Sequence, residues 1–168
     1  MTPLAKGLLV GAAHVLLVCS IAAKFYYDRA NYPRLWVETA PYDPEMPIRG
    51  RYVNIALLVD AERNEASAGS GRAPDMYQAR LEVRGDRLVA IRDDTAGKHW
   101  VSSRHCGKRV CWQLTEPLAY FIPEHAADPS RPRDGATLWA EVTVPPTGAP
   151  RPIRLGVNKG GTIEPVEP

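Results

Sequence analysis

Three cysteines, four histidines and two phenylalanines are all that 168 residues contain of these types. So few cysteines exclude a disulfide-dense scaffold. The chain also lacks a glycine-rich phosphate loop, a dinucleotide fingerprint and a zinc-protease helix motif, so none of those chemistries has a signature here. An excess of charge is missing as well. The formal net charge is +2, and from residue 30 onward 18 Lys and Arg face 18 Asp and Glu. A balanced domain has no bulk electrostatic drive toward nucleic acid, and no nucleic-acid partner is expected. The local group Arg104, Lys108 and Arg109 reads as a solvated turn. Beyond the N-terminus no amphipathic helical period appears. The 16 prolines and 13 glycines are spread along the chain, which favours short strands and many turns. With 45% hydrophobic and 24% charged residues, the composition suits one globular domain with a core.

What is present begins with a single long apolar run. Residues 7–23 carry no charge and are bounded by Lys6 and Lys24. Phe25, Tyr26 and Tyr27 extend the run with aromatic residues suited to a headgroup interface. As a helix, residues 7–27 approach the roughly 30 Å of a hydrocarbon core. A cleaved signal peptide is the competing reading, with Ser20-Ile21-Ala22 as a tolerable cleavage site; the aromatic and basic flank favours an uncleaved anchor. Lys24, Arg29 and Arg34 outnumber Lys6, which by the positive-inside rule leans toward a cytoplasmic C-terminal domain. The cysteines discussed below lean the other way. His14 lies within the run, and Gly7 and Gly11 form a small-residue face of the kind that packs against another membrane helix. The expected plan is a flank at 1–6, an anchor at 7–27, a linker at 28–41, a β domain at 42–158 and a frayed tail at 159–168.

The β reading starts at residues 52–59. Val53, Ile55, Leu57 and Val59 alternate with Tyr52, Asn54, Ala56 and Leu58, one face fully buried and the other half buried. Residues 61–75 are small, polar and glycine-rich, the composition of a loop. Residues 77–92 form a hairpin about the Gly85-Asp86 turn. Residues 99–103 and 110–115 form a second, residues 118–122 a short strand, and residues 137–144 and 152–157 a last hairpin. The fold class that follows is mainly β: an N-terminal single transmembrane helix, then a small antiparallel β-sandwich or open barrel.

Residues 41–59 organise the rest. Pro41, Pro44 and Pro47 hold the chain extended, Gly50 permits a corner, and a strand leaves from Tyr52. The run Gly50-Arg51-Tyr52-Val53-Asn54-Ile55-Ala56-Leu57 resembles the motif that names the GDYXXLXY family. Gly50 and Tyr52 fit, Ile55 stands for the leucine, Arg51 replaces the aspartate and Leu57 the final tyrosine. Tyr120-Phe121-Ile122-Pro123-Glu124 is similar to a second segment of that family. The resemblance implies a bacterial membrane-anchored protein and brings no established activity with it. Arg49, Arg51, Tyr52 and Tyr120 are candidate recognition residues, because Arg and Tyr are efficient contact residues. The plainer reading has Gly50 serving the backbone and Tyr52 packing in the core.

Cys106 and Cys111 flank a basic, glycine-containing turn, and a disulfide across that hairpin is the expected pairing. Such a bond belongs outside the cytosol. Cys19 reads as a small apolar residue of the anchor. Two unrelated thiols are one alternative, and a metal site drawn from His99, His105, Cys106, Cys111 and His125, four of which could converge, is the other; its spacing lacks a second compact ligand pair. Glu124 and His125 are the candidates for acid–base catalysis, and Asp43 and Glu45 a candidate carboxylate pair. Ser102, Ser103, Lys98 and Lys108 lack a nucleophile elbow around them.

Function is therefore expected to be binding. The reading is a bacterial inner-membrane protein with one span and a periplasmic β domain, acting as accessory or assembly partner of another membrane protein. No cofactor is expected, and the partners are the lipid bilayer and a second membrane protein. An anchored hydrolase or metal-dependent enzyme using Glu124 and His125, or the Cys and His group, is the alternative.

Overall fold

The structure is a computed structural model, and it describes residues 2–41, 52–62, 76–107, 109–123, 129 and 135–166. It divides into two units, residues Met1–Tyr32 and Pro33–Pro168.

The first unit is one helix, α1 (Pro3–Asn31). Thr2 caps it, its Oγ1 accepting from the Ala5 N–H at 3.3 Å, and Pro3 opens the first turn where its missing N–H costs nothing. Tyr32 ends it in extended backbone because Pro33 follows. The helix is long and apolar enough to cross a membrane. Within it, His14 Nδ1 bonds the Val10 carbonyl oxygen at 2.8 Å and the Ser20 hydroxyl donates to the Leu17 carbonyl at 2.7 Å, so both polar side chains have partners inside their own helix. A Cβ added at Gly7 or Gly11 would meet nothing within 4 Å.

The second unit is built on β2 (Tyr52–Glu62), whose alternation comes out as read: Val53, Ile55, Leu57 and Val59 are buried, with Ile55 and Leu57 fully so. Along its first half, β2 pairs antiparallel with β1 (Arg34–Pro41) on one side and with β7 (Leu118–Phe121) on the other. Along its second half the partners change. Asp60–Glu62 run parallel to Val89–Ile91 of β4 (Arg87–Arg92), and Leu58 and Val59 pair with Gln113 and Trp112 of β6 (Arg109–Leu114). From β4 the sheet continues to β3 (Met76–Arg84), β5 (His99–Cys106) and β6, which returns to β2. The ring β2-β4-β3-β5-β6 is thus closed, with a single parallel contact among antiparallel ones. From β1 a ribbon runs the other way through β8 (Thr137–Thr143) and β9 (Arg151–Lys159) to β10 (Thr162–Pro165). One core joins ring and ribbon: Val59, Tyr77, Val101 and Leu114 belong to the same buried cluster as Leu35, Val37, Leu138, Val142 and Leu155.

All three expected hairpins form, β3–β4, β5–β6 and β8–β9. Three boundaries need correction. The linker placed at 28–41 consists of the last turn of α1 and the whole of β1, so the β unit begins at Pro33 rather than 42. Leu35, Val37 and Thr39 face the core while Trp36 and Glu38 alternate with them. Large Trp and Glu on the open face hid that period. The tail placed at 159–168 contains β10, paired with β9 through Ile163 and Asn158, and the Val166 N–H donates to the Leu155 carbonyl at 2.9 Å. The loop expected at 61–75 begins later, since Ala61 and Glu62 belong to β2; the rest of it, like the proline-rich approach at 42–51, lies outside the described residues.

Candidate binding cleft

A cleft of about 460 Å³ opens where β2 exchanges its partners. That falls within the range of roughly 300–1,000 Å³ typical of ligand sites. It is lined by Trp36, Val37 and Glu38 of β1, residues 58–61 of β2, Asp86, Arg87 and Leu88 at the start of β4, residues 109–112 of β6, and Trp139 of β8. Successive side chains of a strand point to opposite faces. A strand that offers three or four consecutive residues to one cleft is therefore presenting its edge. The registers agree. The pairing of β1 with β2 stops at Thr39, that of β4 begins at Val89, and that of β6 stops at Trp112.

Side chains fix the walls. Glu141 and Arg154 stand beside Trp36 across the ribbon: Glu141 pairs with Trp36 on one side and with Arg154 on the other, and Arg154 Nε donates to Glu141 Oε2 at 2.6 Å. The Arg154 guanidinium lies 5.3 Å from the centre of the Trp36 ring, a cation–π contact. Gly156 leaves room for the same indole; a Cβ there would come within 2.8 Å of Trp36 and 2.7 Å of Ile163. Trp139 Nε1 donates to Thr137 Oγ1 at 2.9 Å. Trp112 packs edge-on against Tyr77 at 5.1 Å between ring centres. The charges are mixed: three carboxylates, Glu38, Asp60 and Asp86, and two guanidiniums, Arg87 and Arg109. Arg87 lies 3.2 Å from Asp60 and 4.0 Å from Asp86, and Arg109 reaches Glu38 at 4.0 Å from the opposite wall.

A disulfide joins Cys106 and Cys111, with 5.8 Å between Cα atoms. It closes the tip of the β5–β6 hairpin, where Gly107 takes a positive φ of 66° in the turn. Cys111 itself lines the cleft, so the bond braces the wall that carries Arg109 and Val110. Cys19 is free.

The sequence-level candidates are distributed as follows. His99 and His105 stand near opposite ends of β5, about 20 Å apart at strand rise, and the two cysteines are bonded to each other, so the four metal candidates do not converge. Among the described residues no group of three His, Cys, Asp or Glu side chains is placed to hold a metal ion. His99 is half-buried, and burial lowers its pKa from the ordinary value against the opposing pull of Glu116 and the Gly148 backbone. Arg49, Arg51, Asp43, Glu45, Glu124 and His125 lie outside the described residues.

Tyr52 and Tyr120 are brought to adjacent strands. Tyr52 pairs with Phe121, and Val53 with Tyr120. The two motif-like segments, distant in sequence, therefore lie side by side in the sheet. The two tyrosines point to opposite faces, Tyr120 toward the core and Tyr52 with the 70% exposed Phe121 away from it.

The sequence profile of the GDYXXLXY protein family matches residues 14–155. The chain belongs to this family. Neither the curated proteins nor the solved structures contain a match to it. The family match spans most of α1, the β1–β2 spine, the ring and the ribbon as far as Leu155, so it takes in every residue that lines the cleft. Sequence reasoning missed the cleft in this GDYXXLXY protein because its residues come from separate strands far apart along the chain. The signal that could have found it was Trp36, Trp112 and Trp139, three of the chain's four tryptophans.

Proposed function

We propose that this GDYXXLXY protein is a single-span protein of the bacterial inner membrane. Its β unit lies in the periplasm and works by binding, as an accessory or assembly partner of another membrane protein. The observation that carries this reading is the cleft, which gathers three tryptophans and strand edges that have no strand partner among the described residues. Tryptophan brings large contact area and is common where binding energy concentrates. Two features support the location: α1 is long and apolar enough to span a bilayer, and the Cys106–Cys111 disulfide suits an oxidising compartment.

The test is photocrosslinking in intact cells from a benzoylphenylalanine placed at Val110, which is 58% exposed on the cleft rim. A discrete adduct with one membrane protein, identified by mass spectrometry and lost on Trp139→Ala, is the expected result. Absence of an adduct from a folded, membrane-inserted chain would sink the reading. Labelling with a membrane-impermeant maleimide checks the compartment. Cys106 and Cys111 should react from outside only after reduction, and thiols reached only after lysis would place the unit in the cytoplasm.

A further inference from the structure

We propose that the cleft receives an extended polypeptide segment bearing Lys or Arg, which adds as a strand to the edge of β1 at residues 35–38. The proposal rests on the binding reading above and names the class of ligand. Three observations converge on it.

The first is the edge itself. β8 pairs with β1 along one side, from Arg34 to Glu38. On the other side the register with β2 covers only Thr39, Ala40 and Pro41, and among the described residues no strand pairs with residues 35–38 there. Main-chain groups on a sheet edge are a template for another strand. A segment of four residues at about 3.3 Å per residue would run roughly 13 Å along it.

The second is side-chain accommodation. An added strand sends alternate side chains to opposite faces, and the cleft offers apolar surface from the partly buried Leu58 and the exposed Val110 together with Trp36 and Trp139, over a floor where Val37, Val59 and Leu88 are turned into the core. The third is charge. Three carboxylates stand against two guanidiniums, and Arg87 sits closer to Asp60 than to Asp86, whose side chain is 98% exposed. With Asp60 held by Arg87 and Glu38 facing Arg109, a cationic side chain entering here would find Asp86 as its partner and tryptophan faces for cation–π contact. An acidic segment would meet a net negative wall.

The experiment uses the full chain in nanodiscs of zwitterionic lipid, with empty nanodiscs as the blank. The probes are fluorescein-labelled octapeptides: alternating Lys and Val, alternating Glu and Val, and two Lys-Val versions N-methylated on one or the other alternate set of backbone amides. The Lys-Val peptide should bind at least tenfold more tightly than the Glu-Val peptide. N-methylation of one set should weaken it at least tenfold, and of the other set much less, because only one set faces the strand. Asp86→Asn, a change at an exposed turn residue, should narrow the charge preference while leaving the fold intact. Amide exchange within residues 35–38 should slow when the peptide is bound. Equal binding of both N-methylated peptides would overturn strand addition. No peptide binding, with the Val110 crosslink retained, would overturn the ligand class while the binding reading stands. Loss of both would overturn both. Binding of a chitooligosaccharide and of no peptide would reassign the cleft to glycans and overturn the proposal.

Discussion

The ring and the ribbon solve the same problem in different ways. Both are made of short strands whose edges must be satisfied. The ring β2-β4-β3-β5-β6 satisfies them by closing on itself. Among the described residues the ribbon β1-β8-β9-β10 stays open and ends in β10, an edge strand of only four residues that finishes at Pro165, a residue with no N–H to offer. Because β2 pairs with both, its partners must change along its length, and at the change some edges are left without a strand partner among the described residues. The cleft is the direct result: it lies at residues 58–61, where the pairing with β1 has ended and that with β4 begins.

The comparison can be broken most forcefully at the shared strand. Leu57 is fully buried on β2. Leu57→Ala should cost about 3 kcal/mol, within the usual range for a core leucine. Ring and ribbon should unfold together, so denaturant curves of the detergent-solubilised chain, followed by tryptophan fluorescence and by circular dichroism, should stay coincident. Two separated transitions would show that the halves are independent.

Ribbon and ring can next be loosened one at a time. Gly156→Val forces a side chain against Trp36 and Ile163 and should cost roughly 2 kcal/mol by overpacking. Hydrogen exchange should rise in β9 and β10 and stay unchanged in β3 and β5. Replacing Cys106 and Cys111 together by serine removes a short closed loop, contributing about 2 kcal/mol at most in the chain-entropy model. Here exchange should rise at the β5–β6 tip and leave the ribbon alone.

The smallest effect is set by pH. Burial lowers the His99 pKa in the folded chain below its ordinary 6.5, so the unfolded chain takes up this proton first as pH falls. Stability from this group is fully present above the unfolded value and is lost as pH falls through the folded one. Melting temperature should therefore drop as pH falls below about 6.5, and His99→Gln should flatten that part of the profile. An unchanged slope in the variant would remove His99 from the account.

Local chemistry was readable from the residues alone. The apolar run, the β2 alternation, the Gly85-Asp86 hairpin and the Cys106–Cys111 pairing all depend on neighbours within a few positions, and each came out as expected. The two motif-like segments were legible as segments, but not as partners. β1 escaped because Trp36 and Glu38 interrupt its apolar period with large residues, and β10 because four residues after a glycine pair carry little pattern of their own.

What the sequence by itself determined, then, is which stretches are apolar, which alternate and which turn, since side-chain periodicity is written over a few neighbouring positions. Only the tertiary structure decided which strands meet. Pairing depends on partners far away along the chain, as when Glu38 meets Trp139 and Leu58 meets Gln113. The cleft belongs wholly to that second kind of information, because it exists only where such long-range pairings end.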